Sequence, residues 1–435
     1  MTTPYRVLVV GMGKRGMHHA TWFHANDRFE LVGICDIDRS RLEAAAPKLG
    51  HPAMGTDAAE MAQTLSPDDV CFATLPTLRL EMVKIGVASG ARLIAFEKPV
   101  AMSSAEAMAI KQLLDASGVK AVVSHQHRYG VHYQKVAEII ASGALGRIHT
   151  IYASATGWML HMLSHLIDYT RWYNGNAAAE WAMAQAAGRG KLADIHTSPD
   201  YLGGFIQFAN GVRGIVECGA GAPDVPEVDY WWRKARISVY GTEGYAEVLT
   251  GSGWRAVTSR GAWSGPGCMN YDLDMPPYIQ DMADWLDGVK EHPCNFASAY
   301  AGHEIMMALV RSTVEGGQVA LPLTDGRDEL ALLKAKLPAR PVLLSSPVNA
   351  KEYLGSATTW RPQPAWDGRW GNGAFCVCCC RCGDRSFRQL LIAGSASLLS
   401  EGPFPTVGVL VAGGLYALRL ATPPLAAHRW PLRRP

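Results

Sequence analysis

Residues 157 to 172 read GWMLHMLSHLIDYTRW, with His161 and His165 four apart and Asp168 three further on. On an α-helix those intervals stack side chains on one face, turn above turn. The remainder of that face is apolar, so three titratable groups stand in a stripe of Leu, Met, Ile and Trp. Imidazole titrates close to neutral pH, which suits it to taking a proton from a substrate. Spacing alone leaves three readings open. The histidines are a catalytic base with its helpers, or hydrogen-bonded core residues, or an HxxxH metal pair with His125 or His127 as third ligand. No glutamate accompanies the pair.

A second reactive group is Lys98. The apolar run ARLIAF ends in Glu97-Lys98-Pro99, and a lysine at the carboxyl end of a parallel strand points into the crevice where such sheets bind ligands. Its ammonium would stabilise a developing alkoxide. The alternative is a surface lysine ahead of a proline that starts a helix. The segment SHQHRYGVHYQ, residues 124 to 134, leaves the last strand of the same sheet and brings His127, Arg128 and Tyr129 near that crevice as substrate-binding candidates. His125 and His132 fit a polar linker equally well.

These groups need a scaffold, and the amino-terminal third supplies one. In YRVLVVGMGKRGMHHATWF a strand runs through Gly11, Met12, Gly13, Lys14, Arg15 and Gly16 into a helix. The GxGxxG pattern makes a tight turn, lets backbone approach a pyrophosphate, and aims a helix N-terminus at its charge. A second strand, FELVGIC, ends in Asp36, 20 residues after Gly16. A carboxylate there binds adenosine ribose hydroxyls and repels a 2′-phosphate, which favours NAD, while Arg39 and Arg41 leave NADP open. Asp36 as a simple helix cap is the competing reading. Strands DVCFATL and VKAVVSH and helices over 79–88 and 104–116 continue the alternation of a doubly wound parallel sheet.

Together the glycine turn, FEKP, HRYGVHYQKVAEIIASGALGRIHTI, HLID and the hairpin VYGTEGYAEVL resemble the Gfo/Idh/MocA family, over about residues 5–337. The resemblance implies an α/β fold: an amino-terminal Rossmann domain over 1–125 and an α+β domain with an open, mainly antiparallel sheet over 126–345. It implies oxidation or reduction of a secondary alcohol or carbonyl of a sugar, cyclitol or related polyol with NAD(P). By position it makes Lys98, on the reacting hydroxyl, and His165, as proton acceptor, the catalytic pair, with Asp168 closing the motif to orient the histidine or cap a local hydrogen bond. Arg128 matches the arginine after the last Rossmann strand. It adds Thr74, Pro76 and Glu97 to the cofactor-binding residues. The sequence departs from the family pattern at His161, where an Asp is usual, and after Pro76, where Leu80 stands near the place of a histidine. His161 is expected to bind substrate. The resemblance also implies a homodimer or homotetramer, and no catalytic metal. A redox-neutral hydrolase or lyase with tightly held NAD, or a non-catalytic nucleotide sensor, are the alternatives.

Bulk properties agree. With 41 Lys and Arg, 39 Asp and Glu, and a mean hydropathy near zero, the chain has neither a nucleic-acid nor a membrane signature. The charge is uneven: residues 356–435 hold nine Arg and three acids, so they carry +6 and the rest carries 32 − 36 = −4. Five cysteines are scattered and five crowd into CVCCCRC at 376–382. The scattered thiols and the opening MTTPY, without a basic-then-apolar leader, suggest a cytoplasmic protein. Residues 346–435 are expected to be a linker and an atypical tail. Within them TVGVLVAGGLYAL is too short for a membrane span, which needs about 20 residues. GFIQFANGVRGIVEC predicts a type I′ hairpin at Asn210-Gly211, and the Trp231-Trp232-Arg233-Lys234 cluster a substrate loop or oligomer anchor.

Overall fold

The computed structural model describes residues 3–157, 159–193, 197–230, 233–337, 408–411 and 414–417. Trp231, Trp232 and the CVCCCRC cluster lie outside them. The chain divides into two compact units, Met1–Trp360 and Arg361–Pro435. The second contains a small antiparallel hairpin, Gly408–Val411 with Gly414–Ala417. No described helix is long and apolar enough to cross a membrane.

In the first unit, strands β1 (Tyr5–Val10), β2 (Phe29–Cys35), β3 (Ala53–Gly55), β4 (Asp69–Phe72), β5 (Leu93–Glu97) and β6 (Lys120–Ser124) make a parallel sheet in the order 3-2-1-4-5-6. Interleaved with them are α1 (Lys14–His24), α2 (Arg39–Ala45), α3 (Ala58–Leu65), α4 (Arg79–Ala88) and α5 (Ser104–Ser117). The order reverses between β1 and β4, which opens a crevice at their carboxyl ends. Helix starts are set by short polar side chains: Asp38, Asp57 and Ser103 each accept a first-turn N–H.

Helix α6 (Val131–Ala141) leads into a nine-stranded sheet built from β7 (Ile148–Ala155), β8 (Ala179–Ala187), β9 (Tyr201–Phe208), β10 (Arg213–Gly219), β11 (Ala235–Gly241), β12 (Gly244–Leu249), β13 (Gly253–Thr258), β14 (Gly261–Gly265) and β15 (Val319–Ala320). Its order is 14-13-12-11-7-10-9-8-15, antiparallel except where β7 meets β10. One face is covered by α7 (Ser164–Tyr173) and α9 (Phe296–Glu315), whose Leu166, Ile167, Met306 and Leu309 are buried with Ile151, Ile206 and Ile237. The β9–β10 turn is not type I′. Gly211 alone takes positive φ (+82°), and its N–H donates to Phe208 O, so the turn is four residues long with glycine last.

The two-domain division at residue 125 is crossed by the chain itself. Helix α8 (Tyr271–Leu286) returns to the Rossmann sheet and buries Met275, Tyr278, Ile279 and Met282 against Val7, Val9 and Phe23. The start of α9 covers the other face with Phe296, Ala299 and Tyr300. Helix α10 (Glu329–Lys336) closes the described part of the unit. Helix α8 also starts earlier than its two prolines suggest, at Tyr271, because Asn270 caps it.

Candidate active site

The glycine turn has the shape a dinucleotide needs. Gly11 adopts φ +91°, and a Cβ there would lie 2.9 Å from Ala73 O; a Cβ on Gly16 would lie 1.6 Å from Gly11 O. Gly13, in contrast, would meet nothing within 4 Å. The turn is closed on its inner side and open on its outer side, where the N-terminus of α1 begins. Met12 N–H donates to Asp36 Oδ2 at 2.6 Å, and Asp38 N–H to Asp36 Oδ1 at 2.9 Å. Asp36 therefore ties β2 to the turn, and the cap of α2 is Asp38. Arg41 approaches Asp36 Oδ2 at 3.6 Å. These residues fit an NAD-type dinucleotide, with the turn for the pyrophosphate and Asp36 for the ribose.

At the carboxyl end of β5 the Lys98–Pro99 peptide is cis. Lys98 Nζ lies 3.2 Å from His161 Nδ1 and 3.1 Å from His161 O. Residues Met159–Leu163 form a π-helical turn and α7 begins only at Ser164. The three-residue stripe expected of one continuous helix is thus broken. His161 is carried to Lys98, and His165, one turn on, shares with it a cavity of about 240 Å³. Lys98, His127, His161 and His165 line this cavity together with Tyr133, Tyr169, Thr250 and Tyr271. His165 Nδ1 is 3.1 Å from Tyr169 Oη, and His127 Nδ1 is 3.1 Å from Asp274 Oδ2. The His127 and His165 ring centroids are 5.5 Å apart.

Several predicted site residues face elsewhere. Asp168 does not orient His165: both its oxygens take 2.7 Å hydrogen bonds from Arg128 Nε and Nη2. Arg128, expected at the substrate, is spent on that pair and donates to Pro293 O at 2.9 Å. Tyr129 packs under the Rossmann sheet and donates to Asp281 at 2.8 Å. Arg15 and Glu97 turn inward to one another at 2.8 Å, with His19 at 3.1 Å from the same oxygen, and Arg15 lies 4.3 Å over the Tyr271 ring. Neither is aimed at a phosphate. Lys14 is exposed at the start of α1. Thr74 and Pro76 stand at the end of β4, with Thr74 Oγ1 buried and unpartnered among the described residues. His125 and His132 are buried, not linker residues; His125 Nδ1 is 3.7 Å from Asp168.

Composition hid the most consequential missed residue, Arg79. It stands next to Leu80, where the histidine of the pattern was missing, and is 1% exposed. Its guanidinium donates to the carbonyls of Thr74 (3.1 Å), Pro99 (3.2 Å) and Lys98 (3.3 Å), joining the loops after β4 and β5. Its partners are backbone carbonyls on two other loops, which no spacing around Arg79 in the sequence marks. Tyr169 was missed because it lies in a run that reads as ordinary helix, and Tyr271 and Asp274 because they precede Pro276 and Pro277, ahead of the stretch that reads as helix.

The electrostatics follow from burial around two fixed charges. Lys98 is pushed down to about 8, first by burial and then by Arg15 and Arg79, against the pull of Glu97. Burial and the neighbouring Lys98 hold His165 well below the ordinary imidazole value. Burial also lowers His127, with the Asp274 carboxylate opposing. Burial raises Glu97 but Arg15 and His19 outweigh it, so it stays ionised. The pocket thus presents the Lys98 ammonium beside neutral imidazoles at His127 and His165. The HxxxH pair is not arranged for a metal: His161 Nδ1 faces an ammonium, and no group of three His, Cys, Asp or Glu among the described residues could hold one.

Residues 5–125 match the model of an oxidoreductase family with an NAD-binding Rossmann fold, and residues 152–247 match the GFO/IDH/MocA C-terminal domain. The chain belongs to the Gfo/Idh/MocA family. This Gfo/Idh/MocA chain is 26% identical over 155 residues to D-glucoside 3-dehydrogenase of Escherichia coli K12, covering 35% of this chain and 44% of that protein. It is 22% identical over 257 residues to myo-inositol 2-dehydrogenase of Thermotoga maritima, covering 55% and 73%. The chain spans about two-fifths of the length of the first curated relatives it matches. Its fold matches a crystal structure of an Agrobacterium radiobacter oxidoreductase in complex with NAD+, L-tartaric acid and magnesium, with TM-score 0.62 at 18% identity over 73% of this chain and 98% of that one.

Proposed function

We propose that this chain is an NAD-dependent oxidoreductase that moves a hydride between nicotinamide and a secondary alcohol or carbonyl of a sugar, cyclitol or related polyol. The observation that carries this reading is the cavity in which one ammonium, Lys98, meets three imidazoles at the carboxyl edge of a dinucleotide-type sheet. NAD, when bound, supplies the hydride acceptor. Lys98 stabilises the negative charge that develops on the substrate oxygen, and a neutral imidazole takes the hydroxyl proton. Tyr271, Tyr133 and Thr250 give the small cavity polar edges suited to further hydroxyls. Asp36 at the end of β2 supports NAD over NADP.

The reduced thiols of Cys35, Cys71, Cys218 and Cys294 support a cytoplasmic setting. Self-association into a homodimer or homotetramer is supported by a face of the nine-stranded sheet left exposed among the described residues. There Met183 pairs across to Phe205 and Tyr245 joins Tyr240 to Val257, and Phe205 is 49% exposed.

The test is absorbance of reduced nicotinamide with the full chain, NAD or NADP, and a panel of sugars, sugar acids and inositols. Reduction by wild type that is lost in Lys98→Ala supports the reading. No reduction with any substrate, and NAD released only on denaturation, moves it to a redox-neutral enzyme.

A further inference from the structure

The Arg128–Asp168 ion pair leaves a second buried guanidinium unmatched. Arg171, three residues beyond Asp168 on α7, is 5% exposed, yet it forms no ion pair among the described residues. Its Nη1 donates to Ser298 O and, at 3.3 Å, to Ser298 Oγ. Arg128 Nη2 donates to the same Oγ at 3.4 Å. Two guanidiniums thus converge on one hydroxyl, and the carboxylate between them, Asp168, has both oxygens bonded to Arg128. Burial lowers the Arg171 pKa, Asp168 opposes that, and Arg128 adds to it. Glu304, the other carboxylate that acts on Arg171, accepts the Leu323 N–H at 3.1 Å. Like charges brought together away from water repel strongly, and a counter-charge relieves them.

Both arginines line an open cleft of about 530 Å³, with Trp172, Asn176, Asn295 and Ser298. The cleft shares no lining residue with the histidine cavity. Helix α9, 20 residues long, begins at its wall, and Asn295 caps it by accepting the Ser298 N–H at 2.8 Å. A helix N-terminus carries partial positive charge and favours anions. Arg171 Nε is buried without an acceptor among the described residues, and Nη2 also lacks one but is reached by solvent. His292 lines the cleft as a neutral ring. Burial pushes it down to about 4, and its Nδ1 accepts the Cys294 N–H while its Nε2 donates to Tyr278 O. Glu291 is the one carboxylate on the lining, and it is exposed. We propose that this cleft binds a small oxyanion, the phosphate or carboxylate of a metabolite, on Arg171 at the N-terminus of α9.

The proposal stands apart from the polyol reading, because none of its residues touches the histidine cavity. The two sites are nevertheless close in contacts. Asp168 lies 3.7 Å from His125 Nδ1, and the His125 ring stands edge-on to His165 with centroids 5.4 Å apart.

Isothermal titration of the full chain with inorganic phosphate, sulfate and malonate tests the site. NAD is kept saturating so that the glycine turn is filled, and the buffer is free of other multivalent anions. One anion per chain is expected to bind. Arg171→Met should weaken it at least about tenfold, the loss of one charged hydrogen bond. Glu291→Gln, a change at an exposed side chain, should tighten it about two- to fivefold by removing a competing charge. The anion should also raise the Tm of the wild type and leave that of Arg171→Met unmoved. Tighter phosphate than malonate identifies a phosphate ester, and the reverse a carboxylate; both support the site. No saturable binding up to about 10 mM overturns the proposal. So does binding that Glu291→Gln fails to tighten, a result that stands even if Arg171→Met does not fold.

Discussion

The glycine turn and the histidine cavity solve recognition in opposite ways. The turn uses one contiguous stretch, residues 11–16, whose work is done by backbone and by the absence of side chains. The cavity is assembled from side chains on the end of β5, the segment after β6, the π-helical turn, α6, α7, α8 and the second sheet. A local site depends on conformation alone, whereas a dispersed one depends on every buried contact that holds its elements in place. Its supports are correspondingly polar and buried: Arg128–Asp168, Arg79 on three carbonyls, and Arg15–Glu97.

That difference can be broken deliberately. The largest effect is expected from Asp168→Asn, which strands the Arg128 guanidinium and should cost about 3–5 kcal/mol of stability. Denaturant unfolding measures the loss, and the folded fraction should retain its NAD affinity. Lys98→Met should keep the fold but lower kcat by about 10²- to 10³-fold. In the wild type the activity that depends on the Lys98 ammonium should decline as pH rises past about 8. A basic limb that persists in Lys98→Met would assign it to another group.

The turn should respond differently at two of its glycines. Gly16→Ala drives a methyl into Gly11 O and should destabilise by about 1–3 kcal/mol, whereas Gly13→Ala should fold normally and lose NAD binding. Calorimetry beside NAD titration separates them. The smallest effect is at Asp69, buried at the start of β4 with neither oxygen partnered among the described residues and its carboxyl raised well above 3.8 by burial. A raised acid costs stability once pH exceeds its unfolded value. Asp69→Asn should therefore raise Tm by on the order of a few degrees at pH 8, a gain that disappears below about pH 4.

The same contrast explains what could be read from sequence. The parallel sheet, the glycine turn and the position of Lys98 at a strand end were legible because glycine spacing and apolar runs record local geometry, but the strand order and β3 were not. His161 and His165 line the cavity but Asp168 does not, since helical spacing says which face a residue shares and not which partner waits there. Arg128 waits on the far side and captures it. Arg79, Tyr169 and Asp274 had no local signature because their partners lie on other elements.

The return of residues 271–300 onto the Rossmann sheet also bears on how the protein is made. Val7, Val9 and Phe23 have their apolar partners Met275, Tyr278 and Ile279 some 250 residues downstream. During synthesis the amino-terminal sheet emerges long before the helix that seals it, so a nascent chain stopped at residue 125 carries an open hydrophobic face. The sheet that carries the cofactor turn is sealed only when the ribosome has passed α8. Burial of the nucleotide-binding half thus waits on the second half of the chain.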